Sequence, residues 1–298
     1  MLNAFKGKRF QINMTDHAFW LGAKAVDVSI EFRDYGACIS RQYRKIKNLV
    51  KIPFYPIIDY SREFQGFPFD PKGKMIVLSG GSLYKTVSTD NYYYKIVDYI
   101  LPTYDNIVFW YAGFGEKTEI NKIIKKYPGR VFLTEERADL YKVLEHCLFY
   151  LNTYPLCGGL MFQYAAAAGK IPLTLRFGKE TDGFLNDQDN LGIVFNSYED
   201  LVKEIDLILR DREYRKKKEK LIRKAVISEE IFNKEVEKLF NNNSFSYPMT
   251  FEKVDTTLFR SLYKERITYD MLCEAIAQKR NPIAVKYFPI EYLIGGIK

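Results

Sequence analysis

Three segments carry residues whose types and spacing could do chemistry. The first is Ser79-Gly80-Gly81-Ser82-Leu83-Tyr84-Lys85, directly after an apolar run. Backbone N–H groups in a glycine turn, a serine hydroxyl and a lysine ammonium can together hold a diphosphate, because glycine lets an anion approach the main chain. It is not a P-loop, since GxxxxGK[ST] is absent. The second is Thr153-Tyr154-Pro155-Leu156-Cys157-Gly158-Gly159-Leu160, which enters a helix containing Gln163, Tyr164 and four alanines. The Gly-Gly pair opens the helix N-terminus to an anion, and the alanines let the helix lie close on a sheet. The third is Asn13-Met14-Thr15-Asp16-His17, where an acid adjoins one of only two histidines and could form a general base.

Each segment also has a plainer reading. Gly80-Gly81 can be an ordinary tight turn with a surface lysine beside it. Gly158-Gly159 can be a packing device. Asp16 can cap a turn while His17 merely packs. His146 lies late in an amphipathic helix and reads as structural. Asp187-Gln188-Asp189 spells a DxD, a pattern able to hold a divalent ion, but no second acidic cluster accompanies it, so no metal site is expected.

These segments must be positioned by an alternating series of elements. Strands are expected at 75–79, 106–111, 131–134, 148–152, 171–175 and 192–195. Helices are expected at 92–101, 117–127, 137–146 and 160–168. A long helix follows, with Ser197 and Asp200 in capping positions. Strands alternating with helices of about ten residues imply a parallel sheet, and ligands of such sheets bind beyond the carboxyl ends of the strands. Both glycine pairs fall there. Residues 1–73 differ: two strands, at 9–13 and 26–32, precede a basic helix at 40–48 and a proline-punctuated linker. Residues 241–298 open with a polar break and then read helical, at 256–265 and 269–279.

Composition limits the classes available. The chain has 298 residues, 47% hydrophobic, enough for one large or two ordinary domains with a real core. No apolar run reaches the roughly 18 residues of a membrane span, and the N-terminus lacks the pattern of a signal peptide. The four cysteines, Cys38, Cys147, Cys157 and Cys273, are widely spaced and read as reduced thiols of a cytosolic protein. The net charge is +8, concentrated at 41–51 and in RDREYRKKKEK at 210–220. That run is either a solvated helix face or an attractor of anions such as nucleotide phosphates and anionic lipid headgroups. No nucleic-acid motif accompanies it.

Taken together, the motifs resemble the GT-B glycosyltransferases, best over 74–240. SGGSLYK resembles the phosphate loop that opens the nucleotide-sugar domain. LNTYPLCGGLMFQYAAAAGKIPLTL resembles the donor loop and helix of O-GlcNAc-transferase-like and bacterial surface-polysaccharide enzymes. NMTDHAFWLGAKAVDVSIEFR is similar to a histidine-containing segment of bacterial members. The resemblance implies a GT-B-like α/β fold: a short N-terminal α/β lobe (1–73), a Rossmann-type parallel-sheet domain for the nucleotide-sugar (74–240) and C-terminal helices (241–298) packing back across the lobes. It implies transfer of a sugar, usually without a metal or other cofactor, from a nucleotide donor (a UDP-sugar first) to a glycan, lipid-linked or protein acceptor.

In that reading Gly80, Gly81, Ser82, Lys85, Thr153, Tyr154, Gly158, Gly159, Leu160 and Gln163 bind the donor. Lys85 and the N–H groups near Ser82 and Gly159 stabilise the leaving diphosphate. His17, with Asp16, faces the acceptor.

Three features depart from the family pattern. Met14 replaces a histidine, and Tyr164 stands where an acid usually grips the donor ribose, leaving Gln163 as substitute. The 73-residue N-terminal lobe is far smaller than a full one, so the chain is a fragment, begins late in that lobe, or carries a reduced one. The expected setting is surface-polysaccharide or glycoconjugate synthesis in the cytoplasm, with peripheral contact to an anionic membrane. A non-catalytic partner subunit and a nucleotide-sugar epimerase of the same architecture are the rivals.

Overall fold

The computed structural model describes residues 6–16 and 25–255, together with Thr257. His17 and the helices expected at 256–265 and 269–279 lie outside the described residues, Thr257 excepted.

Six parallel strands form the main sheet: β4 (Met75–Ser82), β5 (Ile107–Phe114), β6 (Val131–Thr134), β7 (Phe149–Leu151), β8 (Pro172–Leu175) and β9 (Val194–Phe195), in the order β6-β5-β4-β7-β8-β9. Most of β4, β5, β7 and β8 is buried, as both faces of the sheet are covered, which is why they read as continuous apolar runs. One face packs against α2 (Tyr92–Thr103), α3 (Thr118–Lys126) and α6 (Tyr198–Arg210) through Tyr93, Ile96, Ile100, Ile120, Leu201 and Ile205. The other packs against α4 (Leu140–Glu145) and α5 (Gly159–Ala167) through Val143, Leu144 and Ala165. Phe64, Phe67 and Phe69, from the segment joining the lobes, close that second face. Phe69 stacks on Phe132 at 3.8 Å and Phe64 on His146 at 4.1 Å, so His146 is part of this aromatic packing.

Three further parallel strands make the smaller sheet: β1 (Phe10–Ile12), β2 (Val28–Glu31) and β3 (Leu49–Lys51), in the order β1-β2-β3. Between β2 and β3 lies α1, at Asp34–Gln42 rather than the 40–48 expected from sequence. The buried face of Tyr35, Ala37, Cys38 and Ile39 sets its position, and the basic run begins where it ends: Lys45 has φ +59°, outside any helix. The long helix expected after Ser197 is two helices, α6 and α7 (Arg212–Lys224). Asp211 ends the first and caps the second, accepting from the N–H groups of Glu213 and Tyr214.

After α8 (Glu229–Asn242) the chain turns back to the small lobe. Tyr247 bridges to Lys51, and the main chain at Thr250 and Glu252 bonds Cys38 and Gln42 of α1. Among the described residues no helix is long and apolar enough to cross a membrane, and Cys38, Cys147 and Cys157 are free thiols.

Gly80-Gly81 is not a turn, contrary to the sequence reading. Strand β4 runs on to Ser82, and Gly80 and Gly81 pair with Ala112 and Gly113 of β5. The physical reason is the close passage of the two backbones. A Cβ at Gly80 would lie 2.6 Å from the Ala112 carbonyl oxygen, and one at Gly113 would lie 2.0 Å from that of Gly81.

Candidate functional site

A cleft of about 620 Å³ lies between the lobes. Its walls include Asp16, Arg33 and Tyr35 from the small lobe, and Lys85, Cys157, Gly159, Leu160, Gln163 and Glu180 from the large one. It therefore opens at the carboxyl ends of β4, β7 and β8, where a parallel sheet presents its loops.

Two elements bring the large-lobe groups there. After Ser82 the chain makes a 3-10 turn, Leu83–Thr86, which carries Lys85 to the cleft. Leu83 and Thr86 are buried beneath it, and the Thr86 hydroxyl binds the Leu83 carbonyl at 2.7 Å. After β7, Asn152 organises the next loop. Its Oδ1 accepts from the N–H of Thr153 (2.8 Å) and of Gly158 (3.0 Å), while its Nδ2 donates to the Cys157 sulfur (2.8 Å). The loop delivers Gly158 as N-cap and Gly159 as the first residue of α5, whose end no side chain caps. A cleft ligand carrying negative charge would meet that helix terminus and Lys85 together.

The sequence-derived site residues divide into two groups. Asp16, Lys85, Gly159, Leu160 and Gln163 line the cleft. Gly80, Gly81, Ser82, Thr153, Tyr154 and Gly158 do not; they hold the frame behind it. Thr153 is buried and donates its hydroxyl to the Leu156 carbonyl, and Tyr154 donates to Asp90 at 2.8 Å. Gln163 faces the cleft, but its amide donates to the carbonyls of Phe54 and Phe184, both at 3.1 Å. Tyr164 sends its hydroxyl away, to the Ile57 carbonyl at 3.0 Å. Gln163 and Tyr164 thus tie α5 to the segment that joins the lobes.

Asp16 is engaged as well. Its Oδ2 accepts from Arg33 Nε at 2.7 Å and Nη2 at 2.6 Å, so it is a paired carboxylate with its charge compensated. Its Oδ1 lies over Gly36, where a Cβ would come within 2.3 Å of it and 2.9 Å of Glu31 Oε2. Glu31 is a buried acid that sequence reasoning passed over. Burial pushes its carboxyl up, against hydrogen bonds from Ser40, Asn13 and Ser29 that lower it. The DxD carboxylates are occupied too: Asp187 accepts from the Asn190 amide at 2.5 Å, and Asp189 lies 3.6 Å from Arg176. Among the described residues no three His, Cys, Asp or Glu side chains converge on a metal position.

Two further residues went unflagged as site groups by sequence. Arg33 joins the lobes: beyond Asp16, its Nη1 donates to the main-chain carbonyls of Glu180 and Asp182, and its guanidinium lies 4.0 Å over the Phe184 ring. Glu180 lies in the 3-10 turn Gly178–Thr181 and is 7% exposed. Burial raises its carboxyl to about 7, with the Arg33 charge and a main-chain hydrogen bond pulling the other way. Neither follows from any sequence pattern. A single acid in a polar loop has no period, and a lone arginine between a strand and a helix carries no local sign of its distant partners.

No protein-family model and no curated protein matches the chain. Solved structures do match in fold. A mutant of Staphylococcus aureus TarM, in complex with fondaparinux, α-GlcNAc-glycerol and UDP, superposes with a TM-score of 0.59 at 16% identity, over 78% of this chain and 51% of that one. WaaG, a glycosyltransferase of lipopolysaccharide biosynthesis, gives 0.55 at 12% identity, over 73% and 63%. A Listeria monocytogenes protein assigned as UDP-N-acetylglucosamine 2-epimerase gives 0.51 at 14%, over 78% and 63%. The chain spans about half the length of the TarM chain. With two α/β lobes, an all-parallel large sheet and the cleft between them, this chain has the GT-B glycosyltransferase fold.

Proposed function

We propose that the protein is a glycosyltransferase that takes a sugar from a nucleotide donor, UDP-linked in the first instance, and that the interlobe cleft is its donor site. One observation carries the reading: Lys85 and the uncapped N-terminus of α5 line the same cleft from two successive loops of the large sheet. An ammonium and a row of main-chain N–H groups are the donor set a leaving diphosphate needs, and such preorganised donors act on charge that develops as the glycosidic bond breaks. In this reading no metal is required. Gly159 and Leu160 contact the diphosphate directly. Gly80, Gly81, Ser82, Thr153, Tyr154 and Gly158 set the loops behind it, and Gln163 presents the adjoining wall to the ribose. Asp16 faces the acceptor from the small lobe, and His17, its neighbour in sequence, is assigned to act with it.

UDP in the TarM complex and the role of WaaG in lipopolysaccharide synthesis support a UDP-sugar donor and a cell-surface glycan or lipid-linked acceptor. The exposed face of α7, with Lys217, Lys220 and Lys224 around a 58% exposed Leu221, suits a cytoplasmic protein resting on an anionic membrane. Co-sedimentation with vesicles should then rise with anionic lipid content and vanish in high salt; sedimentation indifferent to lipid charge rejects the membrane contact.

The donor reading is tested by calorimetric titration with UDP, GDP, CMP and their sugar conjugates. One nucleotide should bind selectively, and Lys85→Ala should weaken it by about 1–3 kcal/mol, the cost of losing a charge-assisted hydrogen bond. Equal affinity in the variant removes Lys85 from the site.

A second reading is favoured by one observation: Asp16 Oδ2 is already held by two nitrogens of the Arg33 guanidinium. The chain would then bind a nucleotide-sugar or glycan without turning it over, as a partner subunit. Any donor hydrolysis that depends on His17 excludes that reading. Formation of an altered nucleotide-sugar without acceptor would instead identify an epimerase.

A further inference from the structure

Glu180 is the group in the cleft wall that the donor reading leaves unexplained. It is buried, and its Oε1 has no hydrogen-bond partner among the described residues. A charged carboxylate so placed would be desolvated with only a main-chain hydrogen bond and the nearby Arg33 and Arg176 charges to offset the cost, whereas the neutral acid costs far less. Its position is fixed from several sides. Gly178 leaves room for it, since a Cβ there would lie 2.9 Å from Glu180 Oε2. Arg33 passes over the carboxyl and takes the Glu180 main-chain carbonyl instead. Glu180 and Lys85 from the large lobe and Arg33 from the small one all lie near enough to act electrostatically on the Cys157 thiol, next to the Gly158-Gly159 entry to α5. An anion at that helix terminus therefore lies within reach of Glu180's charge.

We propose that the cleft takes up its anion and a proton together: the diphosphate of a nucleotide-sugar seats at the N-terminus of α5 only as Glu180 becomes the neutral acid. The inference rests on the donor-site reading above. Its physics is linkage. An ionised Glu180 adds a like charge beside the incoming diphosphate, so binding shifts Glu180 towards its protonated form, and the bulk solvent supplies the proton.

The charged and titratable groups that face Glu180 come from every neighbouring element. They are Arg33 and Tyr35 at the start of α1, Asp16 after β1, Tyr154 and Cys157 before α5, and Arg176 and Asp182 on its own loop. Tyr35, Tyr154 and Cys157 are pushed upward by burial and stay neutral near pH 7. Asp16 and Asp182 are paired with Arg33 and Arg176. Glu180 alone of these has its carboxyl raised to about 7, so its titration falls in the physiological range. The sign follows: below that value Glu180 is neutral and the cleft accepts the anion, and above it affinity declines.

The test is calorimetry of the full chain with UDP-N-acetylglucosamine, whose diphosphate keeps a constant charge over the range used. Affinity should fall about tenfold from pH 6 to pH 8, in proportion to the protonated fraction of a group with its midpoint near 7. Repeating the titration at pH 8 in buffers of different ionisation enthalpy should show uptake approaching one proton per ligand. Glu180→Gln, a permanently neutral isostere, should bind with the same affinity at every pH and more tightly than the parent at pH 8. A parent affinity that does not change with pH, absence of proton uptake, or a Gln variant that keeps the parent slope overturns the coupling. If the variant does not fold, the proton count of the parent decides alone. Absence of binding by the parent at every pH overturns the donor reading and the coupling with it, a result distinct from binding without a pH slope.

Discussion

Two Gly-Gly pairs follow strands of the same sheet, 80–81 at the end of β4 and 158–159 beyond the end of β7, and they do opposite things. Gly80-Gly81 continues β4 and lets it pass β5 at a separation no side chain permits. Gly158-Gly159 ends an irregular loop and starts α5, with the Phe184 ring resting where a Gly159 side chain would be. The space a Cβ would need is taken by backbone at Gly80 and by an aromatic ring that can move at Gly159. A dipeptide thus says that something comes close, while only the partner says whether the closeness serves the sheet or the cleft.

The contrast can be broken at its rigid end. Gly113→Ala places a Cβ 2.0 Å from the Gly81 carbonyl oxygen and 2.9 Å from the Gly81 carbonyl carbon and nitrogen, all of them backbone of the paired strand. It should destabilise the fold by about 3 kcal/mol, the upper range for overpacking, seen as a lower urea midpoint. A loss below about 1 kcal/mol would mean that the β4–β5 passage has slack.

At the yielding end, Gly159→Ala sets a Cβ 2.1 Å from the Phe184 ring. The ring can swing away, so the cost should be only about 1–2 kcal/mol. Phe184→Leu in the same chain should recover part of it, which a double-mutant cycle reads directly. Full additivity would show that the ring does not occupy that space. Gly158→Ala should do least, about 1 kcal/mol or less, because its φ of −85° suits any residue and a Cβ would meet Asn152 Oδ1 at 3.2 Å. A large loss there would mean that Asn152 cannot shift.

Much of the fold was legible because parallel strands covered on both faces read as apolar runs. Strands 75–82, 107–114, 131–134, 149–151 and 172–175 all begin within a residue of their expected positions. What failed was decided by tertiary contact. Helix α1 starts at Asp34 because the other end of the segment, rich in lysine and arginine, offers little beyond Ile46 to bury. The strand extension through Gly80-Gly81 depends on a partner strand on the far side of helix α2 in the chain.

The candidate site was legible where chemistry travels with a local signal, as with Lys85 and Gly159. It was illegible where function comes from isolation. Glu180 matters because it is buried with its Oε1 unpartnered among the described residues, and a sequence shows neighbours along the chain rather than the lack of them in space. Gln163 shows the reverse case: it faces the cleft as expected, yet its amide is spent on two main-chain carbonyls.

Arg33 grips the large lobe through the carbonyl oxygens of residues 180 and 182, which every amino acid possesses. At those two positions the clasp therefore reads the path of the loop and ignores its spelling. Side chains at 180 and 182 can be exchanged without unfastening the lobes, so this loop is a place where ligand preference could drift between related chains while their shape stays the same.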